Sequence, residues 1–310
     1  MDRTRHLARR RRLAPRLAAG ILAAVCLAPV GCRLHRGAEP VSRSLVQCRQ
    51  LSQQGLRALE RKDLPQAEAL LAEAVEACPV DPEARQHYAE ALWQRDKQDQ
   101  ALLQLDEAVR LSSDDSRLLA HAAEKRLSLG QERKALELAE RAIDLDPKNA
   151  AAWFIRGRVR RRSGMPQEAL SDFHRALGFE PDNRDCMREI ADVYQQLRRP
   201  QQCLAACQML CDTYPPGEEP QQVLYQTGLA YNAVGRSADA LEYLRAARNS
   251  GPASSELLFQ LADAELRSGR SDEARLTARQ ALELQPGHTA SLALLERLDL
   301  AQRDPRRSAQ

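Results

Sequence analysis

Residues 150–183 read AAAWFIRGRVRRRSGMPQEALSDFHRALGFEPDN. Apolar residues recur at helical spacing from Trp153 to Val159 and again from Ala169 to Leu177. That spacing predicts two helices. Gly164 stands between them, where a helix C-terminus needs a left-handed residue. Pro181 cannot continue the second helix and stops it. Gly157, Ala169 and Ala176 are small at points where two helix backbones have to approach closely. The stretch therefore predicts a helical hairpin.

The register survives translation. Steps of 34 residues from Ala169 reach Ala135, Ala101 and Ala67 backwards and Cys203 forwards. After three inserted residues, Glu218 to Pro220, the series resumes at Ala240 and Ala274. A second small column holds Ala74, Ala108, Ala142, Ala176, Leu210, Ala247 and Ala281. A third, in the first helix, holds Gly55, Ala89, Ala123, Gly157, Ala191, Gly228 and Ala262. The stop column is Pro79, Ser113, Pro147, Pro181, Pro215, Pro252 and Pro286.

This frame resembles the tetratricopeptide repeat, W-x2-L-G-x2-Y…A-x3-F…A…P over about 34 residues. Two departures are Arg156, where that pattern has Leu, and Arg160, where it has Tyr. The resemblance implies an all-α fold, a right-handed α-solenoid of seven hairpins at 48–81, 82–115, 116–149, 150–183, 184–217, 221–254 and 255–288. Within a hairpin, positions summing to about 31 are expected opposite one another. In the fourth repeat that pairs Trp153 with Ala176, Arg156 with Phe173 and Arg160 with Ala169. Residues 289–302 predict a capping helix with Leu292, Leu295 and Leu298 as its inward stripe, before a polar tail at 303–310. A cap is expected because the last repeat of an array otherwise exposes an apolar face.

Residues 1–31 form a basic then apolar leader. The apolar run from Leu17 to Val30 would span about 21 Å as helix, short of the ~30 Å hydrocarbon core. That favours a cleaved signal. Val30, Gly31 and Cys32 resemble a bacterial lipobox, which implies acylation of Cys32 and an extracytoplasmic, membrane-tethered protein. Pro29 departs from that motif, and an ordinary secretory signal or an uncleaved anchor stays open. Residues 32–44 read as a flexible tether. The leader carries seven Arg and one Asp, so its removal takes 46 basic residues to 39 and 43 acidic residues to 42, a net −3. The formal excess of positive charge belongs to the leader, and no global electrostatic case for nucleic acid survives.

No catalytic constellation is present: no HExxH, no phosphate-cradling glycine loop and no GxSxG occurs in the sequence. A non-enzymatic protein without cofactor or small-molecule substrate is expected. Cys203, Cys207 and Cys211 lie at i, i+4 and i+8, and the outer two are about 12 Å apart on a straight helix. That distance is too long for one zinc ion with bonds of about 2.3 Å, so no metal is expected. The opposition rule places Cys48 near Cys78 and Cys186 near Cys211, suggesting two disulfide staples, with free buried thiols as the alternative.

The family resemblance implies a concave groove lined by positions 2, 5, 9 and 12 of the first helices. Position 5 holds Phe154, Arg188, Tyr225 and Phe259, and position 12 holds Trp93. The aromatics read as anchors for a partner's apolar side chains, or else as side chains covered by neighbouring helices. Arg158 and Arg161 also fall on groove columns, as a basic pocket for an acidic segment or as a solvated face, with Glu90, Glu124, Asp185, Glu189 and Asp192 as nearby groups able to neutralise it. Arg156 and Arg160 fall on packing columns and are expected to carry their charges out to water. The chain is thus expected to hold a protein or peptide partner during assembly of an envelope or secretion complex. A helper subunit for an enzyme on another chain is the alternative.

Overall fold

A computed structural model describes residues 43–112 and 115–303. The leader, Cys32 as lipid acceptor, most of the tether and residues 304–310 lie outside the described residues. Fifteen helices and no strand run through the described residues. The first of each pair comes with its partner: α1 (Arg43–Glu60) with α2 (Leu64–Ala77), α3 (Pro82–Gln94) with α4 (Gln98–Leu111), and α5 (Ser116–Ser128) with α6 (Glu132–Leu145). They continue with α7 (Ala150–Arg162) and α8 (Pro166–Phe179), α9 (Arg184–Gln196) and α10 (Pro200–Cys211), α11 (Gln221–Ala233) and α12 (Ser237–Asn249), and α13 (Ser255–Arg267) and α14 (Ser271–Leu284). A last helix, α15 (Thr289–Arg303), has no second helix after it among the described residues. The first helix begins two residues inside the stretch read as tether.

Local chemistry sets the helix ends. Asn149 accepts from the Ala152 amide at 3.1 Å and Asn183 from the Cys186 amide at 2.9 Å, so each satisfies a donor that the first turn of α7 or α9 leaves free. Asp81 and Asp115 do the same for α3 and α5. Every hairpin turns through one left-handed residue at the same repeat position. Four are glycines, Gly130, Gly164, Gly235 and Gly269; three are Lys62, Asp96 and Arg198, with φ of 60°, 61° and 52°. A Cβ is disfavoured there by about 1–2 kcal/mol. Lys62→Gly is therefore expected to raise the free energy of unfolding by roughly 1 kcal/mol, offset in part by the flexibility glycine adds to the unfolded chain. An unchanged denaturant midpoint would show that the turn carries no strain.

The small columns are the buried seams. Ala67, Ala101, Ala135, Ala169, Ala240 and Ala274 are fully buried, as are Ala74, Ala108, Ala142, Ala176, Ala247 and Ala281. Ala135 is fully buried in the cluster of Leu119, Ala123, Leu127 and Ala139. Ala135→Leu is expected to cost about 1–3 kcal/mol by overpacking, read as a lower melting temperature.

The pairing inside the hairpin differs from the expected one. Phe173 faces Gly157, not Arg156: a Cβ on Gly157 would stand 2.6 Å from the Phe173 ring. Gly55 meets Leu71 and Gly228 meets Leu244 in the same way. The opposed positions sum to 32, because the turn through the left-handed residue places the second helix one residue later. Arg156 and Arg160 also correct the expectation. They do not carry their charges out to water alone; both bind the buried carboxylate of Asp172 on α8. Arg156 Nη2 and Nε lie 2.7 and 3.0 Å from its oxygens, and Arg160 Nη1 lies 2.8 Å away.

The capping helix covers α13 and α14 with Ser291, Leu294 and Leu298, and Leu295 is partly buried against the same cluster. Leu292, expected inward, is 48% exposed. Its place in the repeat frame faces a second helix, and none follows α15 among the described residues. Glu296 and Asp299, one and two turns further along the same face, are exposed too, and Asp299 pairs with Arg275 of α14.

The Cys186–Cys211 staple is not formed. The Cys186 thiol donates to the Phe173 carbonyl at 3.1 Å, whereas the Cys211 sulfur lies 3.2 Å from Thr227 Oγ1 on the next repeat. Cys48 and Cys78 are free thiols packed in one cluster, the Cys48 thiol donates to Asp81 Oδ2 at 3.6 Å, and burial first, then Cys78, pushes Cys48 up to about 12. Both members of that pair lie where the opposition rule puts them.

Candidate partner-binding wall

Each second helix packs on the first helix of the next repeat, and first helices also touch each other, α5 with α7, α7 with α9, and α11 with α13. The first helices are thus the closer-spaced layer, and their free faces form a wall. The positions read from sequence lie on it. Phe154, Tyr225, Phe259 and Trp93 are all half-buried. Phe154 lies 5.8 Å from the Phe173 ring, and the Arg158 guanidinium stands 5.7 Å from its centroid. Phe259 tilts against His288 at 5.7 Å. Trp93 belongs to a separate cluster, with the Lys125 ammonium 4.8 Å above its ring. Phe154 and Phe259 therefore spend one part of their surface on their own repeat, Trp93 meets Lys125 of the next repeat, and all four rings leave another part open.

The arginines are brought together by two carboxylates on the next first helix. Arg158 Nε lies 3.5 Å from Glu189, and Arg161 reaches Glu189 at 2.9 Å and Asp192 at 3.7 Å. The Arg161 contact falls off the hydrogen-bonding axis, since Glu189 Oε2 is buried with no hydrogen-bond partner. Burial raises the pKa of Glu189 despite Arg161 and Arg158, and it raises that of Asp192 despite Arg161. Asp192 also accepts from Gln226 Nε2 on α11 at 3.0 Å. The network crosses three repeats and neutralises the run that resembled a basic pocket. Arg188 stands apart, exposed and paired with Asp185 at 2.7 Å. A pair that is this exposed contributes about 0–1 kcal/mol.

A second network joins α3 to α5. Glu90 receives Gln94 Nε2 at 2.9 Å, with Lys125 Nζ at 2.9 Å and His121 Nε2 at 3.6 Å. Hydrogen bonding from His121, with Gln94 and Lys125, holds the Glu90 carboxyl at about 2 against the opposing effect of burial. A carboxylate held below its unfolded value adds stability that is complete above that value and is lost as pH falls through the folded one. Thermal melts between about pH 5 and pH 2 are therefore expected to show an acid loss in the wild type that Glu90→Gln lacks. Parallel curves for the two proteins would refute the assignment.

Sequence reasoning places Glu189 and Asp192 beside the arginine run but misses Gln226 and the part Asp172 plays. Glu189 and Gln226 occupy position 6, between the groove columns, and a signal for them did exist. Positions 9 and 12 of one repeat face position 6 of the next, so Arg158 and Arg161 each point at residue 189 in the repeat frame. Among the described residues no three His, Cys, Asp or Glu side chains converge as a metal site would need. No described helix is long and apolar enough to cross a membrane.

The hairpin frame and its wall define a helical repeat protein. Residues 139–286 and residues 52–116 each match the family described as Tetratricopeptide repeat, and the chain is built from tetratricopeptide repeats. No curated protein matches it to significance. Among solved structures it is similar to PilW, described as a widely conserved type IV pilus biogenesis factor, at 17% identity over 68% of this chain and 96% of that one, with a TM-score of 0.61. It is also similar to YrrB, described as a TPR protein with an unusual peptide-binding site, at 20% identity over 62% and 97%, TM-score 0.57. Pseudomonas aeruginosa PilF matches at 16% identity over 83% and 100%, TM-score 0.53. These likenesses show the α-solenoid fold.

Proposed function

We propose that this chain is a non-catalytic scaffold that holds a segment of a protein partner against its wall of first helices. The observation that carries the reading is the row of half-buried aromatics, Phe154, Tyr225 and Phe259, at one repeat position on that wall. Rings fixed by their own repeat offer apolar surface to a partner with little ordering cost. The ion network of Arg158, Arg161, Glu189 and Asp192 ties consecutive first helices together, so the wall is pre-organised. The descriptions of YrrB as peptide-binding and of PilW as a pilus biogenesis factor support a binding role and an assembly setting. The basic leader and Cys32 support lipid tethering at an extracytoplasmic membrane face.

Photo-crosslinking tests the wall. A reactive residue at Phe154, Arg188 and Tyr225 in turn, in native membranes, is expected to capture one dominant protein. Ser171, exposed on α8, is the control on the other layer. Adducts only from Ser171 would move the binding face and make the aromatics structural. For the tether, mass spectrometry of the mature N-terminus is expected to find acylated Cys32, and an intact leader would refute it.

A further inference from the structure

A cavity of about 340 Å³ opens between the fifth and sixth repeats, where the α9–α10 turn meets α11. Cys203, Leu229 and Ala230 give it an apolar floor, and Arg198 and Arg199 border it. Charge distinguishes it from a packing gap. Neither Arg198 nor Arg199 has a side-chain hydrogen bond or ion pair among the described residues. The acidic group nearest the site along Gln226, Asp192, is already engaged by Gln226 and Arg161. Arg198 also holds the left-handed turn position, φ 52°, that four other repeats give to glycine.

We propose that this cavity is a specificity subsite for a protein partner: it takes one apolar side chain from an extended peptide whose adjacent residue is Asp or Glu. The side chain fills the apolar floor, and the neighbouring carboxylate lies between the two guanidiniums. Volume and apolar lining suit a side chain of leucine, methionine or phenylalanine size. Two adjacent guanidiniums select an anionic neighbour, because charge-assisted bonds to carboxylate exceed neutral ones. This deepens the scaffold reading and rests on it, since the cavity opens beside the wall of first helices.

The test uses the full chain and a phage-displayed random peptide library. Enriched peptides are expected to share an apolar residue next to Asp or Glu. A fluorescein-labelled synthetic copy of the best one is then titrated by anisotropy. Leu229→Lys places a charge in the floor and is expected to weaken binding by tenfold or more, about 1.4 kcal/mol per tenfold, while Leu229→Met retains it. Arg198→Gly is expected to weaken the acidic peptide by about tenfold and to melt no lower than wild type, which separates lost binding from lost folding. Enriched peptides with no acidic residue, or binding unchanged by both Leu229→Lys and Arg198→Gly, would overturn the subsite. Peptides lost on Phe154→Ala and Tyr225→Ala but kept on Leu229→Lys would overturn it and leave the wall as the binding surface. An empty selection would overturn both.

Discussion

Asp172→Ala is expected to lower the free energy of unfolding by about 3–5 kcal/mol. The carboxylate is 1% exposed and binds two guanidiniums, those of Arg156 and Arg160. Removing it leaves two positive charges facing an apolar seam, on side chains only 15% and 24% exposed. Arg156 also lies over the Trp153 ring at 4.5 Å, and that stacking holds the guanidinium in place once its partner has gone. The sharper test keeps the shape and removes all the charge. Arg156→Leu, Arg160→Tyr and Asp172→Leu together restore the apolar residues that the repeat pattern has at the first two positions. Replacing a complete buried ion network by apolar residues is commonly neutral or stabilising. The triple variant is expected to unfold no more easily than wild type, measured by urea titration. A triple variant as weak as Asp172→Ala would mean that volume, and not unpaired charge, controls this seam.

Phe173→Ala is expected to cost about 3–5 kcal/mol, because a fully buried ring leaves a cavity that the close-packed hairpin cannot fill. The companion experiment uses Gly157. A methyl on this glycine would stand 2.6 Å from the ring, so Gly157→Ala alone overpacks the seam by about 1–3 kcal/mol, against roughly 1 kcal/mol gained in helix propensity. The second hairpin shows the alternative solution, with Ala89 and Leu105 at the same two positions. Gly157→Ala combined with Phe173→Leu copies that pair. The double variant is expected to be more stable than the sum of the single changes by about 0.5–3 kcal/mol. Strict additivity in a double-mutant cycle would show that the two positions do not touch.

Those two positions also mark what was legible in the chain itself. The small columns, the glycine turns and the stop prolines could be read directly, because a helix seam admits only small residues at closest approach, whatever the rest of the hairpin does. That determined the repeat frame and placed Phe154, Tyr225, Phe259 and Trp93 on one layer. The opposition of Gly157 to Phe173 was read one residue out, since a spacing rule cannot tell how far the turn advances the second helix.

The sequence by itself also marked Arg156 and Arg160 as departures from the repeat pattern. Only the tertiary structure showed them to be one compensated feature, because Asp172 answers both from the facing helix. Helical spacing marks Leu292 as core because it finds an apolar stripe without saying which neighbour is present to cover it. The same limit hid Gln226. Its partner lies on the preceding repeat, as do those of Glu189, more than thirty residues away in two of the contacts, Arg158 with Glu189 and Asp192 with Gln226. A periodic sequence determines its fold from contacts that repeat within one unit. The chemistry of its binding wall depends on contacts between units, and those differ at every step along the array.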